Sequence, residues 1–259
     1  MKALSYASRG TVLHAVEAGA GEVLVLLHGG MADHHAVLPY LQPLATRFRV
    51  VAPDLRGSGR SWYGGSLSFE QLADDVRALL EHVQTRRAVV VGVSSGTGVA
   101  LRLALAHPER LAGLGLVLPL YAGTAGGYTE PQRAIFSWMD SLASQAVAQG
   151  IDVIRPLFAS LPGEIREQAM AVALRFDPAS VASTSRFLAS GAQPMQSTEE
   201  LRRIRMPVLI VPGTDAMHPP EVADAYARAL PNARLVHAGT AGVADALAAF
   251  SQQCFDDGG

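Results

Sequence analysis

The sequence predicts an α/β fold in which a mostly parallel central sheet is flanked by helices and carries a helical cap insertion. Three observations support this prediction: short apolar runs recur along the chain, helical patterns lie between them, and the alternation stops over one long stretch. Buried parallel strands read as continuous apolar runs and are joined by crossover helices. This order of segments is therefore typical of a sheet covered on both faces.

Six apolar runs predict the strands, and four patterns with apolar residues three or four positions apart predict the main helices. The strands are expected at residues 23–27, 49–53, 88–92, 114–118, 207–211 and 233–237. The helices are expected at residues 69–83, 96–106, 220–230 and 243–250.

The alternation breaks between Tyr121 and Arg205, where the sequence reads as helices separated by prolines. We therefore expect residues 1–120 and 206–259 to form the core and residues 121–205 to form a cap inserted after the sixth strand. Five large apolar residues of this segment either line a pocket or pack the cap against the core, and packing is the commoner use of such residues. They are Phe136, Trp138, Met139, Phe158 and Phe187.

Composition limits the kind of partner. The chain has 259 residues, of which 49% are hydrophobic and 17% charged, as expected for a packed globular protein. It carries 21 basic and 23 acidic side chains without a basic run, which argues against nucleic-acid binding and favours a small-molecule partner. Cys254 is the one cysteine, so no intramolecular disulfide is possible.

The N-terminus lacks a signal-peptide apolar core, and no apolar stretch approaches the ~20 residues of a bilayer helix, so we expect a cytoplasmic protein without a membrane partner. The oligomeric state stays open.

The segment AVVVGVSSGTG contains the pattern GxSxG at Gly92, Ser94 and Gly96, after a predicted strand and before a predicted helix. This context predicts a nucleophile elbow, a sharp turn that presents the serine above the sheet edge. Glycines are needed there because side chains on either flank would collide with backbone. The alternative is that Ser94 only caps the helix.

A second motif, LLHGGM at residues 26–31, places two glycines where backbone has to approach a ligand closely. With APDLRGSGRS, GVSSGTG, HPERL and PVLIVPGTD following in this order, the chain resembles the α/β-hydrolase superfamily over nearly its whole length. The resemblance implies that the amides of Gly30 and Ser95 form an oxyanion hole. It also implies that no cofactor is needed, and the histidines show no spacing typical of a metal site.

The same resemblance implies a triad in the chain order serine, acid, histidine. Asp215 fits the acid position after the seventh strand, with loop capping as the alternative. The histidine expected after the eighth strand is replaced by Val243. His218, close to Asp215, is the first candidate for a substitute base, although a histidine before two prolines is also a plausible rigid loop residue.

Other polar residues of the motifs have mainly structural interpretations. We expect His28 to be a buried hydrogen-bonding residue. Four residues of the APDLRGSGRS segment are expected to stabilise turns and loops: Asp54, Arg56, Gly57 and Gly59.

These observations favour a serine hydrolase that acts on a small, largely apolar ester or amide. Two alternatives remain open: a family member that has lost its base and binds a small ligand, and a lyase or cyclase that uses the same pocket without an acyl-enzyme.

Overall fold

A mostly parallel sheet runs through the centre of the protein. The computed structural model describes residues 1–257, apart from the side chains at positions 240 and 241. Within this range eight strands pair in the order β1-β2-β4-β3-β5-β6-β7-β8. Their bounds are β1 (Lys2–Ser8), β2 (Thr11–Ala18), β3 (Val23–Leu27), β4 (Arg49–Pro53), β5 (Ala88–Val93), β6 (Leu111–Val117), β7 (Val208–Val211) and β8 (Ala233–Leu235). The pairs β1–β2 and β2–β4 are antiparallel and the others are parallel.

The apolar runs of the sequence become the central strands. Every residue of β3 and of β6 is buried, as a strand covered by helices on both faces requires. The strands β1 and β2 were not located from apolar runs, because they form an edge hairpin in which exposed and buried residues are mixed. The strand β8 ends at Leu235, two residues before the predicted end.

Helices cover both faces of the sheet. They are α1 (Leu38–Leu44), α2 (Phe69–His82), α3 (Gly96–Ala106), α4 (Glu130–Gln149), α5 (Gly163–Ala173), α6 (Pro178–Ala189), α7 (Pro220–Ala229) and α8 (Thr240–Asp256). The side chains of β7 alternate between the two layers: Val208 and Ile210 join the core under α2, α3 and α7. Leu209 and Val211 join the core under α1 and α8. The predicted fold class is confirmed.

Between β6 and β7 the described chain is helical and contains no strand, as expected. Pro131 and Pro178 lie in the first turns of α4 and α6, and Pro162 is the N-cap of α5, so these prolines stand where helices begin. The boundaries 121–205 for a separate cap stay a prediction. None of the described helices is long and apolar enough to cross a membrane.

Candidate active site

Ser94 lies on a tight turn between β5 and α3. Its φ is +53°, a left-handed conformation that is uncommon for residues other than glycine. A Cβ atom at Gly92 would lie 2.4 Å from the carbonyl oxygen of Gly96, and one at Gly96 would lie 2.6 Å from that of His28. Only glycine fits at either position, which is the steric reason for the GxSxG spacing.

The hydroxyl of Ser94 does not cap a helix. The N-cap of α3 is Ser95, which makes no side-chain capping bond. The Oγ atom of Ser94 lies instead 2.8 Å from Nε2 of His218. The alternative interpretation of Ser94 as a helix cap is therefore wrong.

His218 also contacts Asp215. Its Nδ1 atom lies 3.0 Å from both carboxylate oxygens of Asp215. A carboxylate accepts hydrogen bonds, so Nδ1 carries the proton and Nε2 is free to accept the Ser94 hydroxyl proton. The three side chains form a continuous chain of contacts from hydroxyl to imidazole to carboxylate.

The loop after β7 folds His218 back toward Ser94. Oδ1 of Asp215 accepts hydrogen bonds from the backbone N–H groups of Met217 and His218, so it also shapes the loop, as the capping alternative expects. A Cβ atom at Gly213 would lie 2.2 Å from Cβ of His218 and 2.7 Å from its carbonyl oxygen. Glycine at position 213 therefore leaves the space that His218 occupies.

Charge favours this arrangement. Burial raises the pKa of the Asp215 carboxyl, but hydrogen bonds and positive charge from His218, with two backbone hydrogen bonds, outweigh it and lower the pKa below its usual value. The carboxylate is thus ionised near neutral pH and attracts the imidazolium form of His218. The His218 side chain is 13% exposed, whereas that of Asp215 is 61% exposed.

The loop after β3 lies directly against the elbow. A Cβ atom at Gly29 would lie 3.1 Å from Cβ of Ser94, and one at Gly30 would lie 3.5 Å from Oγ of Ser95. His28 anchors this loop: its buried Nε2 accepts from the Leu55 amide at 3.0 Å, so its Nδ1 donates to the Gly29 carbonyl at 2.7 Å. Burial lowers the pKa of His28, which keeps the ring neutral. The structural role expected for His28 is confirmed.

Ser94 and Ser95 line an apolar cavity of about 220 Å³. Its walls come mainly from the segment between β6 and β7 and include Phe136, Trp138, Met139, Leu157, Phe158 and Leu188. No charged side chain is among its described lining residues. Some of the large apolar residues both line the pocket and pack the segment against the core, because Phe136 and Met139 line this cavity and also belong to the buried core.

A smaller chamber of about 40 Å³ lies next to this cavity and includes Phe187 in its lining. Gly30, Met31, Ser95 and Leu188 line both spaces, and Leu188 is buried. Sequence patterns did not single out Leu157, Leu188 or Met217 as pocket residues, because an aliphatic side chain in a helix gives the same signal whether it faces a cavity or the core.

A family model described as the alpha/beta hydrolase fold matches residues 22–244. The chain belongs to the α/β-hydrolase family. A thermophilic esterase from Thermogutta terrifontis superposes with a TM-score of 0.77 at 25% identity, with 99% of this chain and 97% of that one covered. In this α/β-hydrolase the central sheet has the architecture expected from the resemblance.

Curated relatives match over shorter stretches. The 2-hydroxymuconate semialdehyde hydrolase of Pseudomonas sp. strain CF600 is 34% identical over 141 residues, which is 51% of this chain and 47% of that protein. The magnesium-chelatase 30 kDa subunit of Rhodobacter capsulatus is 38% identical over 109 residues, which is 41% of this chain and 38% of that protein. The chain thus spans less than half of the length of these two relatives.

In this α/β-hydrolase the position assigned to the missing family histidine lies in α8. Val243 is 4% exposed and packs in the apolar layer with Val211 and Leu247. Its equivalence to the family histidine stays a prediction. The ring that contacts Ser94 belongs to His218, from the preceding loop.

The loop residues of the APDLRGSGRS segment have the structural places expected of them. The Asp54 carboxylate is fully buried and contacts His14 on β2, His34 after β3 and the Arg60 amide of its own loop. Arg56 forms a buried ion pair with Asp75 at 2.7 Å. Gly57 and Gly59 have positive φ angles of 79° and 51°. A Cβ atom at Gly59 would lie 2.5 Å from the Asp54 carboxylate.

Proposed function

We propose that this protein is a serine hydrolase that cleaves esters with a small, uncharged, apolar acyl group. The observation that carries the proposal is the contact chain from Ser94 through His218 to Asp215, with spacings of 2.8 and 3.0 Å. A serine hydroxyl is a weak nucleophile unless a base is within hydrogen-bond reach, about 2.6–3.2 Å. His218 meets that requirement in place of the histidine expected at position 243.

In the proposed reaction Ser94 Oγ attacks the ester carbonyl while His218 Nε2 accepts the hydroxyl proton. The amides of Gly30 and Ser95 donate hydrogen bonds to the oxyanion. When the tetrahedral intermediate collapses, the alcohol leaves with the proton from His218, and an acyl-enzyme remains. Water then attacks the acyl group as His218 again takes a proton, the acid departs and Ser94 regains its hydrogen. Asp215 holds the imidazole in the required tautomer.

The cavity supports the substrate class. Its volume of about 220 Å³ is below the range of about 300–1,000 Å³ common for sites that hold drug-sized ligands. Charged substrates would lose hydration without gaining a partner, because the described lining is apolar apart from Ser94 and Ser95. We therefore expect short acyl esters to be preferred over charged ones.

A fluorophosphonate probe and a series of p-nitrophenyl esters test the proposal. We expect stoichiometric labelling of the protein, hydrolysis of acetate and butyrate esters, and loss of both in Ser94→Ala. Ser190→Ala, which removes an exposed serine at the end of α6, should behave like the wild type.

Two results would contradict the proposal. A folded wild type that neither labels nor hydrolyses any ester would favour the ligand-binding alternative. In ¹⁸O-labelled water the acid product should gain the label; turnover without incorporation would favour a lyase or cyclase.

A further inference from the structure

Gln132 is a buried side chain that belongs neither to the contact chain at Ser94 nor to the described lining of the cavity there. It lies in the first turn of α4 and is 1% exposed. Its place in the sequence does not mark it as functional, because glutamine is a usual residue at this position of a capping box. Its hydrogen bonds nevertheless reach three separate parts of the chain.

The side-chain amide of Gln132 has partners at both ends. Its Oε1 atom accepts from the backbone N–H of Thr129 at 2.9 Å. Its Nε2 atom donates to the carbonyl of Leu120 at 3.1 Å and to that of Met217 at 2.8 Å. An amide oxygen only accepts and an amide NH₂ only donates, so these partners fix the direction in which the amide faces. Gln132 therefore uses one N–H near the end of β6 and the other on the loop after β7.

Met217 lies on the loop that carries the acid and the base of the proposed mechanism. Its N–H donates to Oδ1 of Asp215, and His218 is the next residue. The carbonyl of Met217 and the nitrogen of His218 belong to one peptide unit, which is planar. The hydrogen bond from Gln132 therefore holds the peptide plane that leads directly into the base.

Few other hydrogen bonds hold this loop in place. The bonds of Asp215 to Met217 and His218 lie within the loop, so they set its shape but not its position relative to Ser94. Among the described residues, two hydrogen bonds join residues 212–218 to other parts of the chain: the one between Ser94 and His218, and the one from Gln132 to Met217. The first changes during each proposed proton transfer. The second is free to persist throughout the reaction.

We propose that Gln132 is a positioning residue for His218, because it joins the loop after β7 to the start of α4 and so holds the imidazole at Ser94. The inference rests on the proposed function, in which His218 is the base. The same helix lines the cavity through Phe136 and Trp138. A shift of α4 therefore changes the cavity and the position of the base together.

The size of the effect follows from the distance that proton transfer requires. A base acts within about 2.6–3.2 Å of the proton donor, and His218 Nε2 lies 2.8 Å from Ser94 Oγ. A misplacement of about 1 Å lowers a rate by roughly 10²-fold. Methionine is unbranched like glutamine and has no N–H donor, so Gln132→Met removes the hydrogen bond with little change in shape. We expect this variant to lower kcat for p-nitrophenyl butyrate by about 10- to 100-fold, with a much smaller change in KM.

Steady-state kinetics and hydrogen-exchange mass spectrometry of the full-length chain test the proposal together. In Gln132→Met the amides of Met217 and His218 should exchange faster than in the wild type, because the loop has lost its persistent hydrogen bond. The matched control is Gln193→Met. Gln193 belongs to the same segment between β6 and β7, and its side chain accepts from the Gly123 amide at 3.1 Å without contacting the loop of His218. This variant should keep the wild-type kcat and the wild-type exchange at both amides.

Three results would overturn the proposal: a wild-type kcat in folded Gln132→Met, unchanged exchange at residues 217 and 218 in that variant, or an equal loss of kcat in Gln193→Met. If the wild type hydrolyses no ester, the proposed function fails, and the exchange measurement still decides whether Gln132 holds the loop. If Gln132→Met does not fold, Gln132→Glu decides, because glutamate is also usual in a capping box. Its ionised carboxylate has no donor for Met217, so a wild-type kcat in Gln132→Glu at pH 9 would refute the role of Gln132.

Discussion

Removal of the imidazole at position 218 is the sharpest test of the contact chain. The Nε2 atom of His218 lies 2.8 Å from Ser94 Oγ, within the distance at which a base removes a proton during attack. Loss of the base in a serine triad lowers turnover by up to roughly 10⁶. At about 1.36 kcal/mol for each factor of ten, this corresponds to about 8 kcal/mol of transition-state stabilisation.

We therefore expect His218→Ala to lower kcat for p-nitrophenyl butyrate by about 10⁴- to 10⁶-fold, with little change in KM. The KM should hold because His218 is not among the described residues that line the apolar cavity. Asp215→Asn should lower kcat by roughly 10⁴-fold, because the carboxylate orients the base and stabilises its charged form.

The matched control is His237→Ala, which removes an exposed histidine after β8. This variant should keep the wild-type kcat, and circular dichroism should show that all variants are folded. If folded His218→Ala retained more than a tenth of the wild-type kcat, His218 would not be the base. If His237→Ala lost activity instead, a base after β8 would be indicated.

Three further predictions concern the pocket, the loop network and the cysteine. Leu188→Ala should join the two chambers and raise kcat/KM for octanoate relative to acetate esters by about 10-fold, because each added methylene in an apolar pocket contributes about 1–3 kcal/mol. Asp54→Asn should lower the free energy of unfolding at pH 7 by roughly 3–5 kcal/mol, measured in urea, because its amide N–H would face donors. Since the folded pKa of Asp54 is below its unfolded value, this deficit should shrink as the pH falls below about 4. Burial raises the pKa of the Cys254 thiol to about 11, so at pH 8 the native protein should react with a thiol reagent at least about 100-fold more slowly than the unfolded chain.

Each of these predictions has its own contradicting result. An unchanged chain-length preference in Leu188→Ala, with Ile165→Ala as the control at an exposed apolar residue, would show that Leu188 does not separate the chambers. A deficit in Asp54→Asn that grows in acid would reverse the proposed charge state of Asp54. Fast labelling of Cys254 in the native protein would show that α8 opens readily.

The sequence indicated the central architecture because burial on both faces leaves a simple signal. Strands such as β3 and β5 are apolar throughout and were located within a residue or two. The hairpin of β1 and β2 lies at the sheet edge, where exposed residues of β1 and the polar His14 and Glu17 of β2 interrupt the apolar runs, so no continuous run marks it. Edge strands are therefore harder to find than central ones from one sequence.

The candidate site was harder to predict because it depends on where loops fold back. Ser94 follows from local sterics, since its two glycines are required by backbone contacts within 3 Å. The approach of His218 depends on Gly213, which leaves room for it after β7. The contacts of His14 on β2 and His34 after β3 with Asp54 join separate parts of the chain, so only the assembled sheet brings these residues together.

The acid and the base of the proposed mechanism are three residues apart on one loop. One short segment, residues 213–219, therefore contains both the acid and the base. Grafting this segment into a relative whose own catalytic histidine has been deleted should supply both groups together and restore turnover. In the proposed mechanism the connection between β8 and α8 transfers no proton, so we expect a peptide insertion or a fluorescent label there to leave the proposed ester hydrolysis intact.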